Sequence, residues 1–153
     1  MKVYIGADHR GIDFKSTIKT IVGELGYAVE DVGTNSTASC DYPVIAQKVA
    51  RGVLSAEGSR GILVCMSGIG QSIAANKVDG IRAALCYNTE AARLSREHNN
   101  ANVLVLSSKF VDPDELPELI RIWLTTPFEG GRHERRINLI RDMEQGKVLN
   151  SNP

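Results

Sequence analysis

Short runs of β-branched and other apolar residues alternate along the chain with longer stretches whose apolar positions recur at helical spacing. Val3-Tyr4-Ile5-Gly6-Ala7 predicts a first strand. Residues 11–25 carry Ile12, Ile18, Ile21, Val22 and Leu25 mostly at helical spacing, and Gly26 stands where a helix C-cap belongs. Ala28 to Val32 predicts the second strand. Gly33 to Tyr42 is rich in Ser, Thr and Asn and reads as a loop. Pro43 fits the first turn of a helix running to about Ala56. Gly61-Ile62-Leu63-Val64-Cys65 predicts a third strand buried on both faces. A glycine-rich turn and a helix near 70–77 follow. Ile81 to Cys86 predicts the fourth strand, Thr89 to Glu97 a helix with Thr89 as N-cap, and Asn102 to Leu106 the fifth strand. Pro113 opens a helix to about Leu124, which Pro127 punctuates. A last helix spans Arg132 to Gln145, with Ile137, Ile140 and Met143 on one side.

Five strands alternating with helices imply parallel βαβ units. Right-handed crossovers then give an α/β fold: a three-layer α/β/α sandwich around a Rossmann-like five-stranded parallel sheet. Ligands of such sheets sit beyond the carboxyl ends of the strands. The length of 153 residues suits a single domain, expected over residues 1–146 with a disordered tail over 147–153.

Charge and composition narrow the function. Lys+Arg and Asp+Glu both number 18, and the two halves of the chain balance as well, which argues against a nucleic-acid or acidic-membrane surface. No apolar run approaches the ~18 residues of a membrane span. The N-terminal apolar stretch is too short for a signal peptide. Three cysteines, an odd and sparse set, suit a reducing cytoplasm better than a disulfide scaffold.

Chemistry clusters at the predicted strand ends. The first strand ends in Asp8-His9-Arg10-Gly11, the third in Cys65-Met66-Ser67-Gly68-Ile69-Gly70-Gln71-Ser72. Backbone amides of the second segment can converge on an anion, and a helix N-terminus behind it favours a thiolate at Cys65. A Walker loop needs Gly-Lys-Ser/Thr, but Gln71-Ser72 follows Gly70. A dinucleotide fingerprint lacks its third Gly, because Ile73 stands there. A small cysteine phosphatase wants Arg at position 71. Cys65 by position alone is equally a small buried core residue; the glycine loop tilts it toward function. Cys86 reads as core, and Cys40 as incidental. Asp8 and His9 form an acid/base pair or cap the following helix. Tyr42 lines a pocket or shields the core. His98, followed by Asn99, ends a helix, where a cationic His stabilises the dipole. Arg132 and Arg136 share one helical face, suiting either a phosphate monoester or a solvated surface.

The motifs together resemble ribose-5-phosphate isomerase type B, within the ribose/galactose-phosphate isomerase family. The matching stretches include Gly6-Ala7-Asp8-His9, Asp41-Tyr42-Pro43, Cys65 to Gly70, Ser72 to Lys77, Gly80 to Ala84, Ser95-Arg96-Glu97-His98-Asn99, Asn102-Val103 and Arg132 to Arg136. The resemblance implies interconversion of D-ribose 5-phosphate and D-ribulose 5-phosphate in the pentose phosphate pathway, with no metal or organic cofactor. It implies Cys65 as the base between C2 and C1, His98 in ring opening, and Ser67 as a catalytic hydroxyl. Asp8, His9 and Tyr42 would contact the substrate. The loop of Met66, Ser67, Gly68, Ile69 and Gly70 would hold the enediolate oxygen, Asn99 a sugar oxygen, and Arg132, Arg136 and Lys109 the phosphate.

Three positions depart from the family pattern. Met66 stands where Gly is common, and is strained if that backbone needs positive φ. Lys109 replaces a frequent Arg, giving a point charge in place of a fork. Gln71 stands where some members carry a Glu base, so the base falls to Cys65. The helix over 89–97 descends on the order of 13 Å from the edge that holds Cys65, so His98 and Asn99 are expected near the opposite edge. A site shared within a homodimer, alone or inside a tetramer, brings them together. Competing readings are isomerisation of a six-carbon sugar phosphate and a non-catalytic sugar-phosphate sensor on the same fold.

Overall fold

A computed structural model describes residues 1–150. The elements run β1 (Lys2–Ala7), α1 (Ile12–Glu24), β2 (Ala28–Asp31), α2 (Tyr42–Ser55), β3 (Arg60–Cys65), α3 (Ile69–Ala75), β4 (Ala83–Leu85), α4 (Thr89–Glu97), β5 (Val103–Ser107), α5 (Leu116–Thr125) and α6 (Arg132–Glu144). The strands form one all-parallel sheet in the order β2-β1-β3-β5-β4.

The strand sequences make a three-layer structure because alternate side chains point to opposite faces. Val3, Ile5, Ile62, Val64, Leu104 and Leu106 pack on one face against α1, α4 and α5. Tyr4, Leu63, Val103 and Val105 pack on the other against α2 and α3. Right-handed crossovers explain the division: α1 and α4 carry the chain toward the β2 edge, α2 and α3 toward the β4 edge. Among the described residues no helix is long and apolar enough to cross a membrane.

Most predicted boundaries shift by one to three residues. α1 ends in a Schellman motif. Gly26 holds φ +83°, its N–H donates to the Gly23 carbonyl, and the Tyr27 N–H reaches the Val22 carbonyl at 3.2 Å. The N-cap of α4 is Asn88, not Thr89: Asn88 Oδ1 accepts from the Ala91 N–H at 2.8 Å. β4 starts two residues late because Arg82 N–H is taken by Asn102 Oδ1 at 2.8 Å. Pro113 opens a turn ahead of α5, held by Glu115 N–H to the Asp112 carbonyl at 3.0 Å. Of the expected tail, Lys147 is tied back to Asp142 through both backbone and side chain. Residues 148–150 carry no helix or strand, and 151–153 lie outside the described residues.

Candidate active site

β1 and β3 are neighbours, yet the chain leaves them in opposite directions, to β2 on one side and toward β4 on the other. A crevice opens at such a switch point, at the carboxyl ends of both strands. Here it is a cleft of about 370 Å³, walled by Asp8, His9 and Arg10 after β1, by Cys65 to Ser67 and Gly70 after β3, and by Ser39, Cys40 and Tyr42 at the start of α2.

The segment after β3 folds back over the thiol. Gly68 holds φ +83° and caps α3. Its N–H donates to Cys65 Sγ at 3.2 Å. A thiolate accepts such a bond more strongly than a thiol. Met66 carries no strain, because Asn100 is the one non-glycine with positive φ among the described residues. The Ser67 hydroxyl accepts from the Ile69 N–H at 3.3 Å, and the Tyr87 hydroxyl donates to the Ser67 carbonyl at 3.0 Å. Ser107 Oγ and the Lys109 N–H both donate to the Met66 carbonyl. The loop is therefore pinned from the ends of β4 and β5. The Lys109 ammonium is exposed, 5.4 Å from the Phe110 ring centroid.

Gly70 is required by packing. A Cβ there would lie 2.7 Å from the ring of Tyr42, which rests against it. Asp8 does not cap α1, whose cap is Gly11 without a side-chain bond. The Asp8 carboxylate instead accepts from the Arg10 N–H at 3.0 Å. Among the described residues His9 Nδ1 is buried and lacks a hydrogen-bond partner, an unmet polar demand beside the cleft. Gln71 is fully buried beneath the loop and takes no part in the cleft wall.

A second group gathers at the opposite, amino end of the sheet. α4 delivers His98 and Asn99 there, and α6 meets them. His98 and His133 stack with ring centroids 4.2 Å apart and planes 10° apart. Glu129 Oε2 lies 3.9 Å from His98 Nε2 and 3.4 Å from His133 Nε2. Arg132 Nε donates to His133 Nε2 at 3.4 Å, which needs an unprotonated acceptor. Burial, with the neighbouring His98 and Arg132 charges, holds the His133 pKa below its ordinary value. Arg132 and Arg136 are exposed. Arginine ion pairs among the described residues belong to Arg93 and Arg121, so the α6 guanidiniums have no carboxylate partner. Asn99 faces a separate cleft with Arg82 and Met143.

His98, Glu129 and His133 offer ligand atoms within 4.8 Å of one another. Their geometry does not suit an ion. A bound metal lies in the plane of each imidazole, and one ion cannot lie in two stacked parallel planes. Arg132 beside them repels a cation.

The candidates thus separate. Asp8, His9, Tyr42, Cys65, Met66, Ser67, Gly68, Ile69, Gly70 and Lys109 stand at the carboxyl end of the sheet; His98, Asn99, Arg132 and Arg136 stand at the amino end. Sequence reasoning missed four supports: Arg10, Tyr87, Ser107 and Glu129. Ser107 carried a signal, since it ends β5 beside Cys65. Glu129 lies in an irregular Gly/Pro stretch and carried none. Cys40, read as incidental, lines the cleft.

An open α/β sheet with a thiol and a glycine loop at its switch point defines the class. The chain belongs to the Ribose/Galactose Isomerase family, whose profile matches residues 3–140. It is 42% identical over 144 residues to ribose-5-phosphate isomerase B of Escherichia coli, covering 94% of this chain and 97% of that protein. Among solved structures, ribose-5-phosphate isomerase B of Clostridium thermocellum superposes with a TM-score of 0.92 at 46% identity, covering 95% and 99% of the two chains. The Mycoplasma genitalium ribose-5-phosphate isomerase B with bound ribulose-5-phosphate gives 0.90 at 40% identity, over 95% and 97%.

Proposed function

We propose that the protein interconverts D-ribose 5-phosphate and D-ribulose 5-phosphate without metal or organic cofactor. The observation that carries the reading is Cys65 Sγ in a cleft at the sheet's switch point, receiving the Gly68 N–H at 3.2 Å. The likeness to proteins of that activity supports the choice of substrate.

The chemistry follows from the residues. His98 moves the proton that opens the furanose ring. The Cys65 thiolate takes the C2 proton as the C1–C2 double bond forms and charge develops on O1. Amides of Ser67 and Gly70 in the 67–70 loop donate to that oxygen. The Ser67 hydroxyl passes the O2 proton to O1, and Sγ returns its proton to C1. His9 and Asp8, both in the cleft wall, hold the sugar. Lys109, Arg132 and Arg136 anchor the phosphate, so binding at the unreactive end orients the reacting carbons.

One chain holds these groups at two ends of its sheet, so the reading includes a homodimer with two composite sites. Exposed apolar side chains on both candidate surfaces support it: Met66, Ile69 and Ile73 near the thiol, Ile140 and Met143 on α6. Three free cysteines fit a reducing, cytoplasmic setting.

The test is turnover of ribose 5-phosphate by metal-free protein in deuterated water. Ribulose 5-phosphate forms and solvent deuterium enters at carbon if the reading holds. Binding of ribose 5-phosphate without turnover would instead identify a sensor.

A further inference from the structure

Arg60, Arg82 and Arg96 converge on a cleft of about 470 Å³ at the amino end of the sheet, opposite Cys65. They come from three segments: the start of β3, the residue before β4, and the last turn of α4. Ser59, Asn100 and Asn102 complete the polar wall. None of His98, Asn99, Arg132 or Arg136 lines it.

Each guanidinium is held in place by neutral groups. Arg60 Nη1 donates to the Trp123 and Leu124 carbonyls, each at 2.8 Å. Arg82 Nε and Nη2 donate to the Asn100 carbonyl at 3.1 and 3.0 Å, and Nε also to that of Asn99. Arg96 Nη1 donates to Asn100 Oδ1 at 2.9 Å and to the Ala101 carbonyl, with Nε near the Thr126 carbonyl. No carboxylate pairs with any of the three among the described residues, and Glu57, the acid in the wall, forms no ion pair. Arg141 and Glu144 act on Arg82 from α6 with opposing signs.

Three like charges without a counter-ion are an unusual arrangement in a half-buried cleft. Arg96 is 6% exposed. Burial first, then the Arg60 and Arg82 charges, push its pKa down to about 10. Among the described residues Arg60 Nη2, Arg82 Nη1 and Arg96 Nη2 make no hydrogen bond, yet none is sealed from solvent. Those solvent-accessible N–H groups, on three residues that line one cleft, keep donor capacity for an oxyanion.

We propose that Arg60, Arg82 and Arg96 form a second anion site, which takes a phosphate dianion, free or as a monoester of a small metabolite. The tetrahedral dianion can accept from all three forks and offsets two of the three positive charges. The cleft is larger than phosphate alone, leaving room for an organic substituent. This inference stands apart from the isomerase reading, since a chain inactive on ribose 5-phosphate still binds phosphate here.

Equilibrium dialysis of the full-length protein with radiolabelled inorganic phosphate tests it. The expected site survives Arg136→Ala and is weakened about tenfold or more by Arg60→Gln. A phosphate isotherm unaltered by Arg60→Gln, or one abolished by Arg136→Ala alone, overturns the proposal. Arg60 also holds the end of α5, so the wild type gives a second readout that needs no variant. Its arginine Nε–Hε resonances for Arg60, Arg82 and Arg96 shift saturably as phosphate replaces chloride at constant ionic strength; unmoved resonances overturn the site. Adding 5′-AMP separates the sources. Displacement of phosphate from this cleft identifies a monoester site, and retention identifies one for inorganic phosphate; either upholds an anion site.

Discussion

His98 and His133 lie face to face, ring centroids 4.2 Å apart, with Glu129 reaching both. His133 is the buried partner, and burial favours its neutral form. A histidine held below its ordinary value of 6.5 stabilises the fold fully above that pH, and the contribution is lost as pH falls through 6.5 and below. Unfolding free energy therefore declines on acidification from about pH 8 to about pH 5, and His133→Gln flattens the decline. Denaturant melts across that range check it. An equally steep decline in the variant contradicts the assignment.

Gly68 is predicted to be irreplaceable by alanine. Its φ of +83° disfavours a side chain, and a Cβ would lie 2.4 Å from Leu85 Cδ1. Gly68→Ala should cost about 1–3 kcal/mol of stability. It should also lower kcat more than it raises KM, because the N–H aimed at Cys65 Sγ turns away. Thermal melts and steady-state kinetics measure the two effects. Wild-type values in both would refute the role of the loop.

Arg136→Ala should weaken binding of the phosphorylated sugar and leave the fold intact, since the side chain is exposed and has no carboxylate partner among the described residues. Losing one charge-assisted contact costs about 1.5–3 kcal/mol. The measurement is kcat/KM for ribose 5-phosphate beside a melting curve. Unchanged kcat/KM would return Arg136 to a solvated helix face.

Cys65→Ala should lower kcat by about 10²–10⁴-fold with substrate affinity retained, because proton transfer is lost and ground-state contacts are not. Single-turnover kinetics with a separate binding titration distinguish the two. Retained turnover would mean that another group is the base.

Alternation of apolar runs with helical spacing was enough to read the layers, because strands buried on both faces and helices with one apolar stripe leave few other packings. Boundaries were harder to read where side chains compete for backbone groups. Asn88 displaces Thr89 as the cap, and Asn102 intercepts Arg82 ahead of β4. At the site, Cys65 and the glycine loop were legible from their place at a strand end. The stacking of His133 on His98 was not, since α6 docks through an irregular stretch whose register no periodicity reports. The arginine cleft was also hidden. Its members lie far apart in sequence and each looks like an ordinary surface charge.

The central claim is that one active site takes Cys65 from one subunit and His98 from its partner. Unfolding, mixing and refolding Cys65→Ala with His98→Ala tests it directly, each variant being inactive alone. A mixed dimer then holds one intact site and one doubly damaged site. Random pairing makes half the dimers mixed, so roughly a quarter of wild-type activity returns. Mixed dimers, verified by a tag on one variant, with activity still at background would contradict the shared site.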